Sequence, residues 1–99
     1  MKVIATRAAE ADLDAIADWI AQDSPRRALS FVIELREACM GLGHVPQAFP
    51  LVSRHEAHGI RRRVHGNYLI FDRIDPDQGT IIHVLHGARD YEPLLFPVG

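Results

Sequence analysis

Between Ala8 and Gln22 the apolar residues Ala9, Leu13, Ile16 and Ile20 recur at intervals of four, three and four, which lines them along one face of a helix. Asp12, Asp14 and Asp18 are expected to turn away from that face. Thr6 stands just ahead as an N-cap, and Lys2 to Ala5 before it forms a short apolar strand, either edge or central. Ser24-Pro25 restarts the chain, because serine caps free backbone N–H groups and proline fits a first helical turn. Ala28, Phe31, Leu35, Ala38 and Leu42 then repeat the three/four spacing until Gly41, Gly43 and Pro46 end it. The short break predicts an antiparallel helical hairpin.

The period then changes. His44 to Gly59 has no clean repeat and is punctuated by Pro46, Pro50 and Gly59, which predicts an ordered loop. Ile60 to His65, Tyr68 to Asp75 and Thr80 to His86 are rich in β-branched and aromatic residues and read as strands. Gly66-Asn67 supplies a two-residue hairpin turn and Asp75-Pro76-Asp77-Gln78-Gly79 the next one. Strands joined this closely are antiparallel, so the chain is α+β with the order β-α-α-β-β-β, the hairpin packed on the sheet. Arg89 to Phe96 is a short helix or an extended tail, since Pro93 limits any helix there. Leu94, Leu95 and Phe96 either close the bottom of the core or form an exposed patch.

Ninety-nine residues, 47% hydrophobic and 24% charged, predict one globular domain over 1–99. No apolar run approaches the roughly 20 residues that span a bilayer, and a cytoplasmic location is expected. Cys39, the single cysteine, lies on the apolar helical pattern and reads as a buried small residue.

The net charge of −2 does not itself indicate a nucleic-acid binder, but its distribution is uneven. Acids gather at Glu10, Asp12, Asp14, Asp18 and Asp23, and Arg54, Arg61, Arg62 and Arg63 form a later basic stretch. Strand alternation puts Arg61, Arg63 and His65 on one side, and Ile60, Arg62 and Val64 on the other. The first set fits a solvated face, a partner-binding face or a phosphate site. His83 and His86, three apart, are expected on opposite faces, and His55 and His58 come together only if the loop turns helically; no metal site is predicted. In His86-Gly87-Ala88-Arg89-Asp90, Asp90 is a candidate cap, and His86 and Arg89 are candidates for a functional surface. Trp19 reads as a packing or interface residue. No phosphate-cradling loop, nucleophile elbow or dinucleotide fingerprint occurs, so no cofactor is expected.

Taken in order, Ala11-Asp12-Leu13-x-x-Ile16, Ser24-Pro25-x-x-Ala28, Pro46, Gly59-Ile60-Arg61-Arg62, Tyr68-Leu69-Ile70-Phe71 and Ile82-x-Val84-Leu85-His86-Gly87-Ala88-Arg89-Asp90 resemble the RelE/ParE toxin superfamily of type II toxin–antitoxin systems. The resemblance runs over nearly the whole chain. It implies a helical hairpin on a curved antiparallel sheet and an antitoxin segment covering the sheet and the hairpin groove.

Two activities recur in that superfamily: ribosome-dependent cleavage of messenger RNA, as in RelE, and poisoning of DNA gyrase, as in ParE. The nuclease branch places an arginine after the tyrosine of the central strand, where this chain has Leu69, which cannot neutralise a developing phosphate charge. Arg62, Arg63, His86 and Arg89 are the nuclease candidates, with Tyr91 as a late tyrosine close to Arg89. The Ser24-Pro25 opening and the Leu85-to-Asp90 ending resemble ParE more closely. That resemblance implies a non-catalytic gyrase inhibitor, neutralised by a ParD-like antitoxin through which alone it meets operator DNA, with Arg61, Arg63, His86, Arg89 and Asp90 as the target-binding set. The alternatives are a RelE-like endonuclease and a non-toxic antitoxin-binding module that acts in operon autoregulation.

Overall fold

Strand β1 (Lys2–Ala5) runs straight into helix α1 (Arg7–Ala21), and Thr6 makes the joint. Its Oγ1 accepts the Ala9 N–H at 3.0 Å and donates to the Ile82 carbonyl at 2.9 Å, so one hydroxyl caps the helix and ties its start to the sheet. Ser24 caps α2 (Pro25–Met40) through the Arg27 N–H at 3.1 Å, with Pro25 in the first turn. The Arg36–Glu10 pair, 2.8 and 3.1 Å, joins the end of α2 to the start of α1, as an antiparallel hairpin requires. Both side chains are exposed, so the pair adds a few tenths of a kcal/mol, on the order of a surface salt bridge. The computed structural model describes residues 1–44 and 48–97, and Pro46, expected to help end the second helix, lies outside them.

Strands β2 (Ile60–His65), β3 (Tyr68–Ile74) and β4 (Gln78–His86) form the expected antiparallel meander. Gly66, at φ +59, takes the first central position of the β2–β3 turn, where a left-handed backbone favours glycine. Strand β1 adds to β4 in parallel, giving a mixed sheet of order β1-β4-β3-β2 with β1 at an edge. The long connection from β1 to β4, through both helices and strands β2 and β3, is what permits parallel pairing.

Both faces of the sheet are covered. The hairpin packs on one through Leu13, Ile16, Phe31 and Leu35 against Ile70, Ile81 and Val84. On the other, Leu69, Phe71 and Leu85 meet Val52, Ile60 and Phe96. Burial on both sides explains why Leu69-Ile70-Phe71 is continuously apolar instead of alternating. The segment ahead of β2, expected to be an ordered loop, extends the sheet. Leu51 bridges Arg61, the Val52 N–H donates to the Ile60 carbonyl at 2.8 Å, and a 3-10 turn spans Glu56–His58. The tail forms a single helical turn, α3 (Glu92–Leu95), with Pro93 in the first turn. Leu95 and Phe96 pack into the second cluster, whereas Leu94 is exposed.

One expectation about helix α1 needs correction. Asp12 does not turn away: its Oδ2 accepts the Val84 N–H at 2.9 Å and lies 2.7 Å from His83 Nδ1. The reason is that β1 pairs with β4 only as far as Ile81, and beyond it the open edge of β4 presents backbone donors that α1 must satisfy. A register shift opposite Phe71/Asp72 inserts a bulge into β4 at Ile82, just before His83. From His83 onward the pairing is regular, so His83, opposite Phe71, and His86, opposite Tyr68, fall on opposite faces as expected, and His83 reaches Asp12 around the open strand edge.

Candidate functional site

An aromatic string crosses the end of the sheet where β2, β3 and β4 meet the hairpin. Tyr68, the first residue of β3, pairs with His65 on one side and His86 on the other. Its buried ring lies 5.4 Å from Phe31 of α2 and 5.3 Å, edge-on, from His86. Arg27 sits over the outer side of Phe31 at 5.0 Å, within cation–π range. Beside this string a groove of about 350 Å³ opens between α1 and β4, bordered by Asp12, Ile16, Trp19, Tyr68, His86 and Arg89. An adjoining hollow shares Trp19, Tyr68 and His86 and reaches Arg27. Trp19 is 69% exposed, an aromatic surface left open at the rim.

The strand end fixes the polar rim. The Gly87 N–H donates to the Asn67 carbonyl at 2.8 Å, and a Cβ at Gly87 would lie 3.3 Å from that oxygen, so glycine suits the close turn. His86 Nδ1 accepts the Ala88 N–H at 3.1 Å, which leaves Nε2 as the donor of the neutral ring. The Arg89 N–H donates to the His86 carbonyl at 3.0 Å, which closes the turn and leaves the Arg89 and Asp90 side chains exposed. Tyr91 occupies the cap position of α3, and no side chain caps that turn, so the cap considered for Asp90 is not formed. The tail is held instead by Tyr91 against Phe71 and by Phe96 stacked on His55 at 3.8 Å.

The arginines of β2 separate. Arg61, Arg63 and His65 share a side, as alternation predicts, but it is the side under the helices. Arg63 Nη1 donates to the Ala38 carbonyl at 2.8 Å, one of the last carbonyls of α2, which lack intrahelical partners. Arg61 Nη1 donates to the Phe49 carbonyl at 2.8 Å, and the Arg63 guanidinium lies 4.9 Å over the Phe49 ring. Arg62 is exposed and, by alternation, on the opposite side. The structure therefore brings His86, Arg89 and Asp90 together at one strand end, and places Arg61 and Arg63 away from them as internal tethers. The nuclease candidates Arg62, Arg63, His86 and Arg89 do not converge, and Leu69 is buried in the apolar cluster under α3.

His55 and His58 do come together, 5.8 Å apart across the 3-10 turn, and both rings pack on Phe96. Among the described residues no group of three or more His, Cys, Asp or Glu is placed to hold a metal ion. No helix among them is long and apolar enough to cross a membrane. Burial pushes the Cys39 thiol up to about 11, which suits a packed, unreactive side chain.

Sequence reasoning passed over two features. Arg27 belongs to the hollow, and its signal was a position four before Phe31 on one helix face. Asp72 is fully buried on β3, with neither carboxylate oxygen hydrogen-bonded among the described residues. Its signal was an acid ending an apolar strand run. Burial pushes its carboxyl up to about 6, against the opposing pull of Arg61 and Arg63.

The described residues thus form an α+β body with a helical hairpin on one sheet face and an open aromatic groove at the sheet end. The family model for the ParE toxin of the type II toxin–antitoxin system parDE matches residues 3–91, and the chain belongs to that family. It is similar to a solved chain of the chromosomal ParDE toxin–antitoxin system from P. aeruginosa, with a TM-score of 0.75 and 26% identity over 87% of this chain and 95% of that one. It is also similar to a chain of the RelBE2 toxin–antitoxin complex from Mycobacterium tuberculosis, with a TM-score of 0.62 and 25% identity over 86% of this chain and 95% of that one. Comparison with curated proteins gives no match.

Proposed function

We propose that this toxin inhibits growth in the cytoplasm by binding DNA gyrase without itself catalysing a reaction, and that a ParD-like antitoxin neutralises it. The observation that carries the non-catalytic reading is Leu69 and its neighbours. The sheet face next to the central-strand tyrosine is filled by Leu69, Phe71, Leu85 and Phe96 and covered by α3, so the place where a phosphate-stabilising arginine would stand is a dry apolar cluster. Such a surface packs and does not turn over substrate. His86, Arg89 and Asp90 are the exposed part of the expected target-binding set, while Arg61 and Arg63 serve it by holding α2 and Phe49 in place. The groove beside Trp19 and Tyr68 offers the antitoxin an apolar seat with charged rims, the arrangement that suits an amphipathic segment.

Purified protein added to a gyrase supercoiling assay is expected to reduce supercoiling and to be relieved by a ParD-like antitoxin. Arg89→Ala, a change at an exposed position, is expected to raise the concentration for half-inhibition by roughly tenfold, about what one lost charged contact is worth. Unchanged inhibition by Arg89→Ala would remove that residue from the contact surface.

A further inference from the structure

Asp72 has no role in the groove, yet it sits where a charge is hardest to keep. It pairs with Arg61 in the β2–β3 register and, two residues from Ile70, shares the helix-covered side of the sheet. The charged and titratable groups facing it are Arg61 and Arg63 from β2 and the Cys39 thiol from α2; its register partner on β4 is Ile81. Both guanidinium groups are within electrostatic reach, but each is bonded to a main-chain carbonyl: Arg61 to Phe49 and Arg63 to Ala38, both at 2.8 Å. An ionised carboxylate without a hydrogen bond is costly inside a protein, and a guanidinium bonds a carboxylate more strongly than it bonds a neutral carbonyl.

We propose that the proton on Asp72 decides what Arg61 and Arg63 hold. With the carboxyl protonated, the two arginines tether Phe49 and the last turn of α2. With the proton lost, at least one swings to the carboxylate and frees the main-chain segment it held. The device thus acts on the connection between the hairpin and the sheet, and it is independent of what the toxin binds.

The burial of Asp72 places the transition near pH 6, between the ordinary carboxylate range and neutrality. The test is an NMR titration of the intact chain from pH 4.5 to 7.5. It follows the Asp72 carboxyl carbon, the Arg61 and Arg63 guanidinium nitrogens, and the backbone amides of residues 38–42, 48, 49, 51 and 52. One shared midpoint near pH 6 in all three sets is expected, and Asp72→Asn should abolish it in the arginines and amides. Asp72 titrating while the arginine and amide signals stay flat would overturn the proposal. So would a midpoint in the ordinary carboxylate range. The wild-type titration decides the matter even if the variant folds poorly.

Discussion

Thr6 and Ser24 look alike as N-caps, but they are not equivalent. Ser24 makes one exposed bond to the Arg27 N–H, whereas Thr6 spends its hydroxyl twice, on Ala9 and on Ile82 across the sheet, in a partly buried place. Ser24→Ala should cost about 1 kcal/mol in urea unfolding, and Thr6→Ala roughly 2 kcal/mol, because a buried carbonyl also loses its donor. Asp72 gives the sharper prediction. Its folded carboxyl is pushed up from 3.8 to about 6, so the folded chain holds the proton more tightly than the unfolded chain. Its stabilising contribution is therefore full below about pH 4 and is lost as pH rises through about 6, a change on the order of 3 kcal/mol by linkage. Stability measured by urea unfolding should fall across that window, and Asp72→Asn should flatten the fall. A wild-type stability that rises from pH 4 to 6.5 by as much as the variant's would contradict the account.

Helix α1 and strand β4 show what element-level reading captured and what it could not. The three/four spacing of Ala9, Leu13 and Ile16 identified the buried face, and the Gly66-Asn67 turn fixed the β2–β3 register, because both signals are local. Asp12 was legible only as a polar residue off the apolar stripe. Its role depends on β1 ending before β4 does, a tertiary fact that leaves the Val84 N–H at an open edge. The bulge in β4 likewise leaves no local mark, but it lies ahead of His83, so the alternation that separates His83 from His86 holds. In the candidate site, His86, Arg89 and Asp90 were found from the turn-forming glycine. Arg61 and Arg63 were placed on the right side of their strand, but the helix covering that side was invisible to a period-two count. Asp12→Ala is expected to cost roughly 2 kcal/mol, the worth of a charge-assisted bond to a partly buried backbone donor. Faster amide exchange at Val84 should accompany it. Protection at Val84 equal to that of the wild type would show that α1 does not hold the strand edge.

At the scale of the molecule, the two faces of the sheet have different uses. One is sealed by the hairpin, with the Asp72 carboxyl buried near two arginines that tether main-chain carbonyls. The other is sealed by residues 51–58 and the terminal turn, with Leu69 and Phe71 in a buried apolar cluster. The sheet end is open and carries the groove, Trp19 and the His86–Asp90 corner. Membership in the ParE toxin family and this distribution of polar and apolar surface together underlie the central claim that the chain acts by binding gyrase and not by cutting RNA. The most direct measurement is amino-acid incorporation in the minutes after the gene is induced without an antitoxin, followed alongside growth. Incorporation that continues while growth stops and cells elongate is the predicted result. An immediate collapse of incorporation would identify the ribosome as the target and contradict the account.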